Sequence, residues 1–308
     1  MTLLRLLVAA VLFWIVLRQS DPRVIAQVTA DADLWFIGAA VLLVLADRAL
    51  MAYRWLVLLR PIPAAARPPF GTLLRLFFVS TFVGTFLPAS IGTDAVRVYG
   101  LRQHHVHGAV AVASVLMDRV LGILSILLIA IVGLVFVRRF ATNPAVLWPL
   151  VIAAVISGAT AAVIFSGRAA AAAARLLKAL PGAHVRELAR RVLDAVTEYR
   201  AHHTDLGNVL VGSMAVQTLR IVQAYLLGRA LGIDAGLAIY FALIPLILLV
   251  MLLPITINGI GTSQAAFVWF FGSVGIPAAH AFALSVLFVA LGIVGNLPGG
   301  VLFVTSRS

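Results

Sequence analysis

Two short stretches of this 308-residue chain repeat a glycine, a hydroxyl and a polar group in the same order. The first, Ile91-Gly92-Thr93-Asp94, is followed one helical turn after its aspartate by Arg97; the second, Ile260-Gly261-Thr262-Ser263-Gln264, is neutral. A step of this kind opens a helix, with Thr93 and Thr262 at the N-cap position and the amides of the first turn left without intrahelical partners. Such a turn accepts an anion. Arg97 adds a guanidinium suited to phosphate, and Asp94 either titrates beside the bound group or serves the helix dipole as a first-turn acid. Ionisable side chains also interrupt apolar runs at Asp47-Arg48, Asp118-Arg119 and Arg220. At membrane depth each costs at least a few kcal/mol, so each is either a functional group or half of an ion pair that fixes helix packing. Adjacent residues project about 100° apart on a helix, so Asp118 and Arg119 are expected to find partners on neighbouring helices.

The elements that must hold these groups are set by composition. Hydrophobic residues make up 63% of the chain and charged residues 11%, against roughly 45–50% and 25% in soluble domains. A soluble globule is excluded, and the chain is an integral membrane protein. The net charge of +12 reads as cytoplasmic loops facing anionic headgroups, not as a nucleic-acid footprint. All basic residues except Lys178 are arginine, and cysteine is absent, which excludes thiol chemistry, disulfides and Cys-ligated metal. His104, His105 and His107 crowd one loop without a carboxylate nearby, and His202-His203 resembles them, so no metal is expected. The nucleotide-binding, serine-hydrolase, zincin and CxxC motifs do not occur, and no cofactor is expected.

A crossing needs about 20 apolar residues. Hydropathy marks six: Leu3 to Leu17, an uncleaved anchor, then Leu34 to Leu58, Ala109 to Val137, Ala145 to Phe165, Leu206 to Leu231 and Ala278 to Val304. Two shorter apolar pieces, Leu73 to Pro88 and Leu237 to Pro254, end in Leu-Pro and precede the Ile-Gly-Thr steps, the second after a three-residue insertion. Each reads as a re-entrant helical hairpin, the alternative being two ordinary spans kinked by proline. With both hairpins re-entrant, 14 of the 23 basic residues fall on one face and five on the other, which orients both termini to the cytoplasm of the plasma (inner) membrane. Between the spans, Arg168 to His203 reads as a cytoplasmic interfacial helix region, with Val185, Leu188, Val192 and Val196 on one face, or as a partner surface.

The halves repeat. Leu87-Pro88 matches Leu253-Pro254, Ile91-Gly92-Thr93 matches Ile260-Gly261-Thr262, and Gly122-Ile123 matches Gly292-Ile293. Three spans separate the hairpins, an odd number, so the repeats (about 34–137 and 206–304) have opposite orientation within a single membrane domain, the architecture of alternating-access transporters. The expected fold is therefore an all-α integral membrane protein of about six transmembrane helices plus two re-entrant hairpins in an inverted repeat.

The stretch FVGTFLPASIGTDAVRVYGL, the MDRVLG from Met117 to Gly122, and LLPITINGIGTSQAAF followed by GIPAAHAFALSV resemble the flippase-type membrane domain of lysylphosphatidylglycerol synthases and its stand-alone relatives, over nearly the whole chain. Where that family usually shows Pro-Gly-x-Gly-Glu, this chain has Pro-Ala-Ser-Ile-Gly-Thr-Asp, so Asp94 falls at the acidic position, and Gln264 replaces the second motif's glutamate. The resemblance implies a stand-alone flippase or flippase-like transporter without the aminoacyltransferase domain. The expected cargo is an anionic or aminoacylated phospholipid, or a polyprenyl or hopanoid lipid, and a lipid synthase is the expected partner. The candidate binding residues are Thr93, Asp94, Arg97, Asp118, Arg119, Arg220, Thr262 and Gln264, with no catalytic residue. Two other classes stay open: a membrane-embedded transferase using Asp94 or Asp118 as base, and a non-catalytic subunit presenting lipid to a synthase.

Overall fold

The computed structural model describes residues 11, 13–63, 66–86, 91–136, 144–179, 181–252 and 260–305, and among them no strand occurs. After a helical stretch at 13–19 come α1 (Pro22–Ala30), α2 (Leu34–Leu58), α3 (Phe70–Phe86), α4 (Ile91–Gln103), α5 (Gly108–Phe136), α6 (Pro144–Phe165), α7 (Gly167–Leu177), α8 (Ala183–Glu198), α9 (His203–Ala230), α10 (Leu237–Met251), α11 (Thr262–Gly272), α12 (Ala278–Val294) and α13 (Leu297–Val304). Among the described residues four runs are long and apolar enough to cross a membrane: Leu34–Leu58, Gly108–Val135, Ala183–Ala230 and Ala278–Val304. The pair Leu150–Phe165 and Gly167–Leu177, bent by 107°, makes a fifth if it counts as one span. The chain is a multi-pass, all-α membrane protein. The crossing expected at Leu3 to Leu17 falls largely outside the described residues, as do Leu87-Pro88, Leu253-Pro254 and Val137.

α3 and α4 form an antiparallel helical hairpin whose register is fixed by small residues. A Cβ on Gly84 would overlap Thr93, a Cβ on Gly100 would overlap Leu76, and between them Arg97 Nε lies 3.4 Å from Ser80 Oγ. These three pairs share a nearly constant sum of residue numbers, as antiparallel pairing requires. α10 and α11 pair likewise, with Tyr240 packed edge-on against Phe271 at 5.2 Å. Each first arm is also clasped by a glycine from the other half of the chain. A Cβ on Gly299 of α13 would strike the main chain of Phe78, and one on Gly133 of α5 would strike that of Phe241 and Ala242.

The core is divided in the same way. One cluster of buried apolar residues gathers Trp55, Leu59, Leu73, Phe77 and Leu101 around the first hairpin, and a larger one gathers Ile221, Leu243, Ile247, Phe267 and Phe271 around the second. Two elements differ from expectation. The run Ala278 to Val304 is interrupted at Gly295-Asn296, because Pro298, within the first two positions of α13, lacks an N–H and its ring would clash with the carbonyl one turn back. In α8, Val196 is buried and Val192 packs on a core cluster, whereas Val185 and Leu188 are exposed, so only half of the apolar face is covered by the protein itself.

Candidate functional site

Polar side chains recur at three- or four-residue steps on three helices, which places them on one face of each. α2 presents Asp47, Arg48, Met51 and Arg54; α5 presents Asp118, Arg119 and Gly122; α9 presents Gln217, Arg220 and Gln223. All line one cavity of about 660 Å³. The first hairpin closes one side with Thr81, Gly84, Thr85, Thr93 and Arg97, and the second reaches the same cavity with Met251, Leu252 and Ile260.

Three carboxylates organise the charge. Asp118 accepts from two helices: Arg54 Nη2 lies 2.9 Å from Oδ1, and Arg97 Nη1 lies 3.3 Å from Oδ2. The Arg97 guanidinium also sits over the rings of Phe77, at 4.5 Å, and Trp55, at 5.4 Å, so its faces are covered by aromatics while its edge meets oxygen. Asp47 is held by its neighbour Arg48 at 2.7 Å, with Arg220 Nε 3.5 Å from its other oxygen. Arg48 continues to Asn296 Oδ1 at 2.9 Å and to the carbonyl of Gly292 at 3.2 Å, and Asn296 donates to Thr85 Oγ1 at 2.8 Å. A line of polar contacts thus joins α2, the α12–α13 break and α3. The third carboxylate, Asp94, takes Arg119 in a two-toothed grip at 2.9 and 3.0 Å.

Among the described residues five guanidiniums face three carboxylates here, an excess of two positive charges. Arg54 Nε, Gln217 Oε1 and Gln223 Nε2 are buried without a hydrogen-bond partner among the described residues. Burying charge and unpaired polar atoms is unfavourable unless something compensates, and an anion with several acceptor oxygens meets the charge and donor requirements.

The family described as the lysylphosphatidylglycerol synthase TM region matches residues 2–299. The chain belongs to this family. No curated protein and no solved structure matches it. Of the candidate residues that the sequence singled out, Thr93, Arg97, Asp118, Arg119 and Arg220 lie on the cavity wall, and Asp94 stands behind Arg119. Asp118 and Arg119 turn to neighbouring helices and not to each other, Asp118 to α2 and α4 and Arg119 to α4.

Thr262 and Gln264 do not line the cavity; both are buried behind Ile260. The N-cap assignments also change. α4 begins at Ile91, so Thr93 sits inside its first turn. The N-cap of α11 is Gly261, whose φ of 86° suits glycine alone, and Thr262 follows it. Gln264 Oε1 accepts from Gly261 N–H at 2.6 Å and from Ser263 Oγ at 3.0 Å, so an amide that would have met an anion is already capped. Arg54, Asn296, Gln217 and Gln223 were not singled out from the sequence. The signal for the glutamines was their three-residue step on either side of Arg220, and for Arg54 its seven-residue separation from Asp47.

Proposed function

We propose that this chain is a flippase-like transporter, not an enzyme, and that it carries a phosphate-bearing lipid headgroup through the central cavity. The observation that carries this is the charge imbalance: a cavity in a membrane bundle whose five arginines outnumber their carboxylates by two. A lipid phosphodiester supplies a negative charge and acceptor oxygens, and its tails remain in the bilayer while the headgroup moves. Membership of a family named for a lipid synthase's transmembrane region supports lipid cargo. The oxygens of Asp94 and Asp118 are occupied by guanidiniums, which favours positioning over proton abstraction and so favours transport over a transferase.

The inverted repeat follows from the same proposal. Both hairpins border one cavity, and each first arm is clasped by a glycine of the opposite half, which supports two re-entrant hairpins meeting near the midplane. The N-in, C-in orientation in the plasma membrane rests on the basic residues of the loops; with the buried Arg97 set aside, thirteen lie on the cytoplasmic face against five. A lipid synthase is the partner this reading supplies. The test is reconstitution of the purified chain into liposomes holding headgroup-labelled phosphatidylglycerol, with leaflet exchange read by quenching from outside. Exchange faster than in empty liposomes is expected. Exchange at the empty-liposome rate that rises only when a synthase is added would replace transport with lipid presentation, and a covalently altered lipid would replace it with transferase chemistry.

A further inference from the structure

The Arg119–Asp94 pair stands between two hollows. Arg119 lines the central cavity on one side; on the other, with Asp94, it lines a groove of about 460 Å³ between α4 and α5. The groove walls are apolar, from Ala95 and Val98 on α4 and Val112, Val115 and Leu116 on α5. α4 and α5 run antiparallel from the turn at 104–107. The groove therefore runs from exposed Arg102 beside that turn to Asp94, eight residues or about 12 Å along α4. A cation marks its mouth and an ion pair closes its floor.

That floor can open without leaving a charge stranded. Both side chains keep solvent-accessible surface, 38% for Arg119 and 22% for Asp94. A phosphate presents the same pair of oxygens to a guanidinium as a carboxylate does, so it can take the place of Asp94 on Arg119. Asp94, once released, remains in the first turn of α4, where the helix dipole favours an anion.

We propose that the α4–α5 groove receives one acyl chain of an anionic phospholipid whose phosphate displaces Asp94 from Arg119, making this ion pair the gate between groove and cavity. The proposal rests on the lipid-carrier reading above and adds where the lipid enters and where its tail lies. An acyl chain gains little by leaving the bilayer for an apolar groove, which suits a site it must also leave.

Two photoreactive phosphatidylglycerols test it in nanodiscs holding the full chain, one with a diazirine in an acyl chain and one with it in the headgroup. Irradiation and peptide mapping should place acyl adducts on residues 95–99 and 112–116 and headgroup adducts on residues lining the central cavity. Ala95→Trp and Leu116→Trp, both at exposed positions, should abolish the groove adducts and leave the parent's elution profile unchanged. Asp94→Asn should increase them. Acyl adducts spread evenly over the lipid-facing helices, or unchanged in both tryptophan variants, would overturn the groove while headgroup adducts in the cavity preserved the carrier reading. Headgroup adducts missing from the cavity would overturn that reading itself.

Discussion

Replacing Asp118 with Asn tests the electrostatic account of the cavity at its most connected point. Asp118 holds Arg54 and Arg97, whose side chains are each only 4% exposed, and neither has another salt-bridge partner among the described residues. Removing one partner of a buried ion pair costs about 3–5 kcal/mol because the other charge is left uncompensated. Here one substitution strands two cations, so Asp118→Asn is expected at about 5 kcal/mol. Arg97→Gln leaves Asp118 paired with Arg54 and forfeits one charge-assisted contact, about 1.5–3 kcal/mol. The double variant removes one of the stranded cations along with the carboxylate, so it should cost less than the sum of the two single changes. The assay is reversible unfolding in mixed micelles of a mild detergent and dodecyl sulfate, followed by circular dichroism. Phosphatidylglycerol added to the micelles should restore part of the loss in Asp118→Asn, since a ligand that binds only the folded state stabilises it. An Asp118→Asn variant no less stable than Arg97→Gln, or strictly additive losses in the double variant, would refute the shared-acceptor reasoning.

Other outcomes follow from particular contacts. Gly84→Leu should force α3 and α4 apart and lower the yield of folded protein, and Gly84→Ala should be tolerated better beside Thr93→Gly than beside Thr93; equal yields in the two backgrounds would remove the close approach as a constraint. Arg119→Leu should leave an extractable, folded protein that no longer exchanges lipid between leaflets, and normal exchange would take Arg119 out of the site. Because the chain has no cysteine, Ala183→Cys reports topology alone: an impermeant maleimide should react with it in inverted vesicles but not in intact cells, and labelling in intact cells would reverse the orientation.

The helices were legible in the sequence because a membrane enforces a single pattern, a long apolar run, and the runs from Leu34 and Ala109 coincide closely with α2 and α5. The break before α4 was marked in the sequence by Pro88, which lies outside the described residues, whereas Gly92, read as part of that break, lies within α4. The site was only partly legible. An intramembrane charge announces itself, so Asp118, Arg119 and Arg220 stood out, but its partners lie on other helices and follow from packing. Arg54 lies a turn from the end of α2, where an arginine ordinarily reaches for the interface; only Asp118, 64 positions later, shows that it turns inward. Asn296 reads as the end of a helix before Leu-Pro until Arg48 and Thr85 are found on either side of it. The Ile-Gly-Thr repeat misled in its second copy, since whether the N-cap amide of Gly261 is open depends on where Gln264 folds, and that is a matter of rotamer and not of spacing.

Exposure divides the five arginines by task. Arg48, Arg54 and Arg97 are buried, each fastened to a carboxylate, and Arg97 is walled by aromatics; they are too enclosed to follow a moving ligand and instead fix the field of the cavity. Arg119 and Arg220 keep 38% and 24% of their side-chain surface and reach their carboxylates from α5 and α9, two helices in direct contact through Gln217 and Ser125. The first half of the chain therefore supplies all three carboxylates and four of the five guanidiniums, while the second half contributes Arg220, neutral donors and the capped turn at Gly261. Two halves so unequal in charge are nonetheless packed reciprocally, Gly133 against the first arm of the second hairpin and Gly299 against the first arm of the first.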